Sequence, residues 1–172
     1  QGPVHSAVIM DLVGHDVPMP GGEHLLFVTG MESQEELAGI VLEADRVEGL
    51  GVVPTLNSYI GDLSDHHAFR EDQRPYLFFS CGHWPHYHAP SDTPEKLNYR
   101  KMAAIGTLLE SLVPRLCSAD FTSPFEGYNS LPAELDRMQA HLGPMIAQLG
   151  ISLESRGDIS KFVDGLMHHL EL

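Results

Sequence analysis

Four short apolar segments, separated by stretches with helical spacing, constrain the fold of this chain more than any other feature. Each segment is rich in aliphatic, β-branched or aromatic residues and is followed by a glycine or a polar residue, which is typical of β-strands. The first is apolar almost without interruption, and this pattern predicts a strand that is buried on both faces. The four segments are VHSAVIMDLV (4–13), HLLFVT (24–29), LGVVPTL (50–56) and YLFFSC (76–81).

The stretches between and after these segments repeat apolar residues at the three- and four-residue spacing of amphipathic helices. Ser33 and Glu36 predict a capping box at the start of the first helix, and Gly49 predicts its end. Ser64 predicts the cap of a short helix, whereas Pro114 is expected to kink or end a long one. That long helix is capped by Asn98 and runs to Leu116, and two further helices are predicted over 132–149 and 158–170.

Strands that alternate with helices predict an α/β fold in three layers, α/β/α, around a mixed and mostly parallel sheet, followed by C-terminal helices. The 172 residues, 42% of them hydrophobic, suffice for one core. Residues 1–3 match the remnant of a cleavable expression tag, which leaves a core over 4–118 and a helical extension over 119–172. The apolar stripes of the extension favour packing on the same chain over a homodimer interface.

The charge balance disfavours two classes of partner. Acidic residues outnumber basic ones by 24 to 10, for a formal net charge of −14. Nucleic acids and anionic membranes bind proteins through lysine and arginine, so we expect neither as a partner. We see no apolar run near the roughly 18 residues that cross a bilayer and no export signal. Cys81 and Cys117 predict free thiols, which slightly favours the cytoplasm.

Histidine is the compositional outlier, with eleven residues, several of them clustered. Neutral imidazole is the commonest zinc ligand in proteins, although most loop histidines are simply solvated or hydrogen-bonded. A local site formed by His83, His86 and His88 is therefore only weakly indicated. Asp11 is more informative, because it lies where an apolar strand gives way to Gly14, at the edge where α/β sheets bind ligands. A role as a turn cap is the alternative for this carboxylate.

Four motifs, in this order, resemble the second half of the catalytic domain of the co-catalytic dizinc aminopeptidases, whose relatives include glutamate carboxypeptidase and the glutaminyl cyclases. The similarity extends over about two thirds of the chain, 4–116. Its most specific element is the Tyr-His-x-x-x-Asp-Thr run at 87–93. The motifs are VIMDLVGHD (8–16), SDHHAF (64–69), PYLFFSCG (75–82) and PHYHAPSDTPEKLNY (85–99).

This resemblance implies a two-zinc site and assigns residues to it. Asp11 would be the carboxylate ligand of one zinc ion, and His88 the imidazole ligand of the other. Tyr87 matches a position that, in some members, donates a hydrogen bond to the tetrahedral intermediate. The remaining matches would support the site or line the substrate pocket without binding metal: Asp65, His66 and Asp92.

The chain departs from the family in what stands before Asp11. The family places a further histidine, a bridging aspartate and a Glu-Glu pair there, whereas Glu35 and Glu36, the only such pair here, follow Asp11 in the first turn of a helix. The resemblance therefore implies that 4–118 is the C-terminal part of the catalytic domain of a zinc exopeptidase, inactive without its missing N-terminal half. In the intact parent it would hydrolyse terminal bonds of peptide or aminoacyl substrates.

Aminopeptidase activity is the default, while carboxypeptidase and cyclase specificities stay open. The contrasting hypothesis is a non-catalytic folded fragment, or a helical interaction domain, that binds at most one metal ion weakly. Zinc itself could be replaced by cobalt or manganese, because carboxylate and imidazole ligands accept these ions as well.

Overall fold

The computed structural model describes residues 4–169 of the chain. All four predicted strands are present, and an unpredicted short helix follows the third. The strands are β1 (Ala7–Met10), β2 (Leu25–Thr29), β3 (Gly51–Thr55) and β4 (Tyr76–Ser80). The helices are α1 (Glu35–Ala44), α2 (Asn57–Ile60), α3 (His66–Glu71), α4 (Tyr99–Ser118), α5 (Leu131–Gln148) and α6 (Arg156–His169). Short 3-10 turns lie at Gly22–His24, Met31–Ser33 and Pro94–Lys96.

The strands form one mixed sheet in the order β1-β4-β2-β3. The pairs β1–β4 and β2–β3 are parallel, whereas β2 and β4 run antiparallel. The predicted mixed, mostly parallel sheet is thereby confirmed. Because β1 and β4 point the same way, their carboxyl ends lie side by side, with Met10 opposite Phe79. This shared edge brings the segments that follow both strands together.

Helices cover both faces of the sheet. On one face, Phe27 and Phe78 line a cavity together with Leu142 of α5 and Phe162 of α6. Strand side chains alternate between faces, so Leu26, Val28, Leu77 and Phe79 point to the opposite face, where α1 and α4 pack against each other and against the sheet. The result is the expected three-layer α/β/α arrangement, with these side chains fully or almost fully buried: Leu26, Val28, Leu77, Phe79, Leu37, Val41, Leu108 and Leu112.

The prediction that the first strand is buried on both faces is wrong. β1 pairs only with β4, and in the part of the chain that the structure describes no strand occupies its outer edge. Its first three residues are half-buried and Met10 is 47% exposed. An apolar sequence shows which residues favour burial but not how many strands lie beside the segment. From this sequence, an edge strand cannot be told from a central one.

The predicted capping box of α1 is also wrong. The helix begins after Gln34, which makes no side-chain cap bond. The hydroxyl of Ser33 instead donates to the carbonyl oxygen of Gly30 at 2.6 Å and accepts the backbone N–H of Tyr76 at 3.3 Å. The backbone N–H of Tyr76 in β4, forty-three positions later, thus occupies the hydroxyl that the capping box would need. A local sequence pattern cannot predict a contact over that distance.

Other helix boundaries were predicted with mixed success. Asn98 caps α4, accepting the backbone N–H of Lys101 at 2.9 Å, as expected. Pro114 does not end α4, which continues to Ser118; the proline is exposed, so water can reach the carbonyl group that it leaves unpaired. The predicted stop at Gly49 is late, because α1 has already ended at Ala44.

The C-terminal helices α5 and α6 pack on the chain's own sheet. Their apolar stripes are buried in the core through Met138, Leu142, Ile146, Ile159 and Phe162. These contacts bury the middle of each stripe within the chain, whereas Leu149 at the end of the first is 59% exposed. The predicted end of the second helix, at 170, lies outside the described residues. Over the described residues, no helix combines the length and the apolarity needed to cross a membrane.

A glycine where β2 ends provides a test of the packing. Gly30 has a φ of 100°, and a Cβ built there would lie 2.7 Å from the Tyr76 ring and even closer to the Tyr76 carbonyl oxygen. Gly30→Ala should therefore lower the free energy of unfolding by about 2–4 kcal/mol in urea titrations. Gly39→Ala is the control: it lies within α1 with open space around its Cα, and the change should add about 0.5–1 kcal/mol. Equal effects at both positions would contradict this packing.

Candidate functional site

Asp11 lies at the edge of the sheet where β1 and β4 end. Its backbone N–H donates to the carbonyl oxygen of Phe79 at 3.1 Å, and Cys81 N–H donates to the carbonyl oxygen of Leu12 at 3.1 Å. Leu12 has a φ of 55°, a left-handed conformation that residues other than glycine rarely adopt. The end of β4 therefore holds the backbone on both sides of Asp11 and fixes where its side chain starts.

The Asp11 carboxylate is exposed and binds Ser64. The hydroxyl of Ser64 donates to Asp11 Oδ2 at 3.1 Å, across fifty-three positions of sequence. The prediction that Ser64 caps α3 is wrong: the N-cap residue is Asp65, and it makes no side-chain cap bond. This hydrogen bond brings the 64–69 motif to the site, and the alternative of Asp11 as a turn cap finds no support in it.

Tyr87 contacts two histidine rings in the loop after β4. The ring centroids of Tyr87 and His88 are 3.9 Å apart and the rings are stacked, and those of His83 and Tyr87 are 4.6 Å apart. Tyr87 is 39% exposed, and His88 is exposed with a φ of 54°. Non-glycine residues with positive φ concentrate at functional sites, and here one is His88 and another directly follows Asp11.

A cavity of about 130 Å³ opens between the sheet and the two C-terminal helices. It is similar in size to engineered protein cavities that bind benzene. Most of its lining is apolar and includes Phe27, Val53, Phe78, Met138, Leu142 and Phe162. The polar residues in the lining are Asp11, Thr29, Thr55, Ser64, Ser80, His83 and Tyr87.

His66 packs against Phe78, one of the residues that line this cavity. Its side chain is completely buried, its Nε2 lies 2.9 Å from Asn57 Oδ1, and its ring stacks on Phe78 at 4.4 Å. Burial lowers the pKa of His66, so the ring is neutral at physiological pH, with Nε2–H as the donor to Asn57. Its Nδ1 is buried without a hydrogen-bond partner. The ring thus packs against a wall of the cavity without lining it.

The structure does not bring Asp65 or Asp92 into the cavity lining. Both are exposed; Asp65 precedes α3, and the backbone N–H of Asp92 donates to the carbonyl oxygen of Ala89 in a turn. Two serines of the cavity lining, Ser64 and Ser80, were missed as site residues, whereas His83 was considered only for a local three-histidine site. Ser64 stands beside the matched Asp65 in its motif, but only the folded chain shows that its hydroxyl, and not the next carboxylate, reaches Asp11.

The described residues do not by themselves fit a zinc ion. Asp11 and His88 are two donors, whereas a protein zinc site usually takes three or four. Residues 4–169, so far as the structure describes them, hold no group of three His, Cys, Asp or Glu side chains arranged for a metal. The weakly indicated three-histidine site is therefore not formed. His86 is engaged elsewhere, with Nδ1 2.9 Å from Ser91 Oγ and Nε2 3.0 Å from Lys96 Nζ.

Comparison with known proteins supports the fold. No family model matches the chain, and no curated protein matches its sequence. Among solved structures, the crystal structure of the LapA aminopeptidase of Legionella pneumophila superimposes with a TM-score of 0.55 and 21% sequence identity. The chain has an aminopeptidase-like fold. The match covers 69% of this chain and 32% of LapA, so the chain spans about a third of that aminopeptidase's length.

The buried His66 gives the folded chain a pH dependence. Because its folded-state pKa is lowered, the unfolded chain takes up a proton near pH 6.5 while the folded chain does not. Stability should thus be lost as the pH falls below about 6.5, by about 1.4 kcal/mol for each unit of depression. His15 and His141, whose pKa values are also lowered by burial, add to the loss.

The measurement is urea unfolding between pH 7.5 and 5.5 for the wild type and His66→Gln. Glutamine retains an amide donor toward Asn57 and does not titrate, so the slope of stability against pH should become shallower. An identical slope in the two proteins would show that His66 is not buried in its neutral form.

Proposed function

We propose that this chain carries part of the active site of a zinc-dependent exopeptidase of aminopeptidase type, which hydrolyses terminal peptide bonds in the intact parent protein. One observation carries the proposal: Asp11 and Tyr87, which come from two separate motifs, line one mostly apolar cavity at the shared edge of β1 and β4. The aminopeptidase-like fold and the order of the four motifs support it.

Asp11 and His88 are the proposed zinc ligands. The described residues do not complete a zinc site. The further ligands and the general base are proposed to come from the missing part of the parent. Zinc chemistry is accordingly assigned to the assembled parent, and the chain alone is proposed to be inactive. The Ser64 hydroxyl would orient the Asp11 carboxylate by occupying one lone pair of Oδ2 at 3.1 Å.

Tyr87 is the proposed hydrogen-bond donor to the substrate. Its phenol O–H can donate to the oxygen that becomes negatively charged when a peptide carbonyl is attacked. The stacked ring of His88 and the tilted ring of His83 restrict the Tyr87 side chain before substrate binds. Such pre-organisation reduces the entropy lost on the way to the transition state.

The cavity is proposed to take the apolar side chain of the terminal residue. Its volume of about 130 Å³ suits a group of the size of isobutyl or benzyl, and the walls from Phe78, Leu142 and Phe162 offer no hydrogen-bonding groups. Because the buried stripes of α5 and α6 build one side of this cavity, a role for these helices in a separate interaction domain has no specific support.

Asp11→Asn in the parent protein should reduce kcat/KM for leucine p-nitroanilide by at least about a thousandfold and lower the zinc content measured by mass spectrometry. Asp72→Asn, a change on the exposed surface after α3, is the control and should leave both unchanged. The 172-residue chain should show no turnover with added zinc. Turnover by this chain, or an active Asp11→Asn parent, would contradict the proposed ligand set.

Leu142→Trp in the parent should fill the cavity. We expect the ratio of kcat/KM for leucine p-nitroanilide to that for alanine p-nitroanilide to fall at least about tenfold, because the larger side chain no longer fits. Leu149→Trp, on an exposed residue just after α5, should leave the ratio unchanged. An unchanged ratio in both variants would show that the cavity is not the subsite for the terminal side chain.

A further inference from the structure

A buried histidine joins the two segments on which the proposed site depends. His15 lies four residues after Asp11 and is 2% exposed. Its Nε2 is 3.0 Å from the carbonyl oxygen of Gly82, and its Nδ1 is 2.7 Å from the carbonyl oxygen of Asp16. Gly82 begins the loop 82–93, called the site loop from here on, which carries Tyr87. One ring therefore contacts both the β1 segment and the start of this loop.

His15 holds the site loop by a second contact as well. Its ring stacks on the indole of Trp84 with centroids 4.6 Å apart and an angle of 5° between the planes. The backbone of His15 is bound separately: the ammonium group of Lys101 in α4 donates to the His15 carbonyl oxygen at 3.1 Å, and Lys101 is 3% exposed. The His15 backbone is thus anchored to a long helix while its ring binds the loop.

We propose that His15 is a positioning residue that fastens the site loop to the segment after Asp11, and so sets where Tyr87 and His88 lie relative to Asp11. It does not line the cavity, and its effect on substrate passes through the loop. The fastening itself is independent of the proposed function; only its consequence for catalysis depends on that function.

The chemistry of the ring makes this contact dependent on pH. Both ring nitrogens face carbonyl oxygens, so a neutral imidazole, with one N–H, satisfies only one of them. Burial and the Lys101 charge lower the pKa of His15, while the two carbonyl groups and Asp16 act in the opposite direction without cancelling it. His86, which meets Trp84 edge-on at 4.9 Å, is the other titratable side chain near the stack.

Proton linkage determines whether a lower pH favours the open or the closed form of the site loop. When the loop opens and water reaches His15, the ring binds a proton near its usual pKa of about 6.5, whereas the closed form binds it only at lower pH. Protons therefore favour the open form. The site loop should be held most firmly above about pH 6.5 and should open more often as the pH falls below that value.

Amide hydrogen exchange of the full chain, measured by mass spectrometry, tests the proposal. His15→Phe retains a flat ring against Trp84 and removes both nitrogens. At pH 7.5, exchange over 83–88 should rise at least about tenfold while β2 and β3 keep their protection. In the wild type, the exchange rate over 83–88, corrected for the intrinsic chemical rate, should rise as the pH is lowered from 7.5 to 5.5. In His15→Phe this pH dependence should vanish.

His5→Phe is the matched control. His5 Nε2 also binds a backbone carbonyl oxygen, that of Leu116 at 3.0 Å, and its ring also lies against an aromatic one, Phe121 at 4.9 Å. Its replacement should leave exchange over 83–88 unchanged. Unchanged exchange of that segment in His15→Phe, or an equal rise over β2 and β3, would overturn the proposal, because His15 would then be an ordinary core residue.

Enzyme kinetics on the parent separate this inference from the proposed function. If the parent is active, His15→Phe should lower kcat more than it raises KM, since the loop groups act on the bound substrate. If the parent has no peptidase activity, the exchange result still decides whether His15 fastens the loop.

Discussion

The position of β4 between β1 and β2 is the constraint on which the rest of this structure depends. β4 is buried along its first four residues and is the strand at which the sheet changes direction, parallel to β1 and antiparallel to β2. Its end holds the backbone around Asp11 through Phe79 and Cys81. Its continuation becomes the loop that carries Tyr87. A single strand thus sets both the layer structure and the location of the candidate site.

Features with local causes could be read from the sequence. The strand at β4 is a compact apolar run with a proline before it and a glycine soon after it, and the cap at Asn98 depends on a backbone N–H only three residues away. The amphipathic spacing of α5 and α6 likewise reports which side of each helix is apolar. In each case, the residues that make the structure stand close together in the chain.

Features with distant causes could not be read in this way. Ser33 has the sequence of a helix cap, but its hydroxyl is engaged by Gly30 and Tyr76. The position of Asp11 at the end of an apolar strand could be read locally, whereas its hydrogen bond with Ser64 could not, and Ser64 was interpreted as a helix cap. The apolar stripe of α5 was predicted. The cavity that Leu142 and Phe78 line, however, depends on where α5 packs on the sheet. Such contacts are decided by the packing of whole elements, which a sequence window does not contain.

The order of the strands along the chain has a consequence for how the molecule is made. β2, α1 and β3 follow one another closely and include a parallel strand pair, so they can assemble as a local unit while synthesis continues. β1 precedes β2 in the chain, but the strand it pairs with, β4, begins only at Tyr76. The hydrogen bond from the Asp11 N–H to Phe79 and the pairing of β1 with β4 can therefore form only after all four strands have been synthesised.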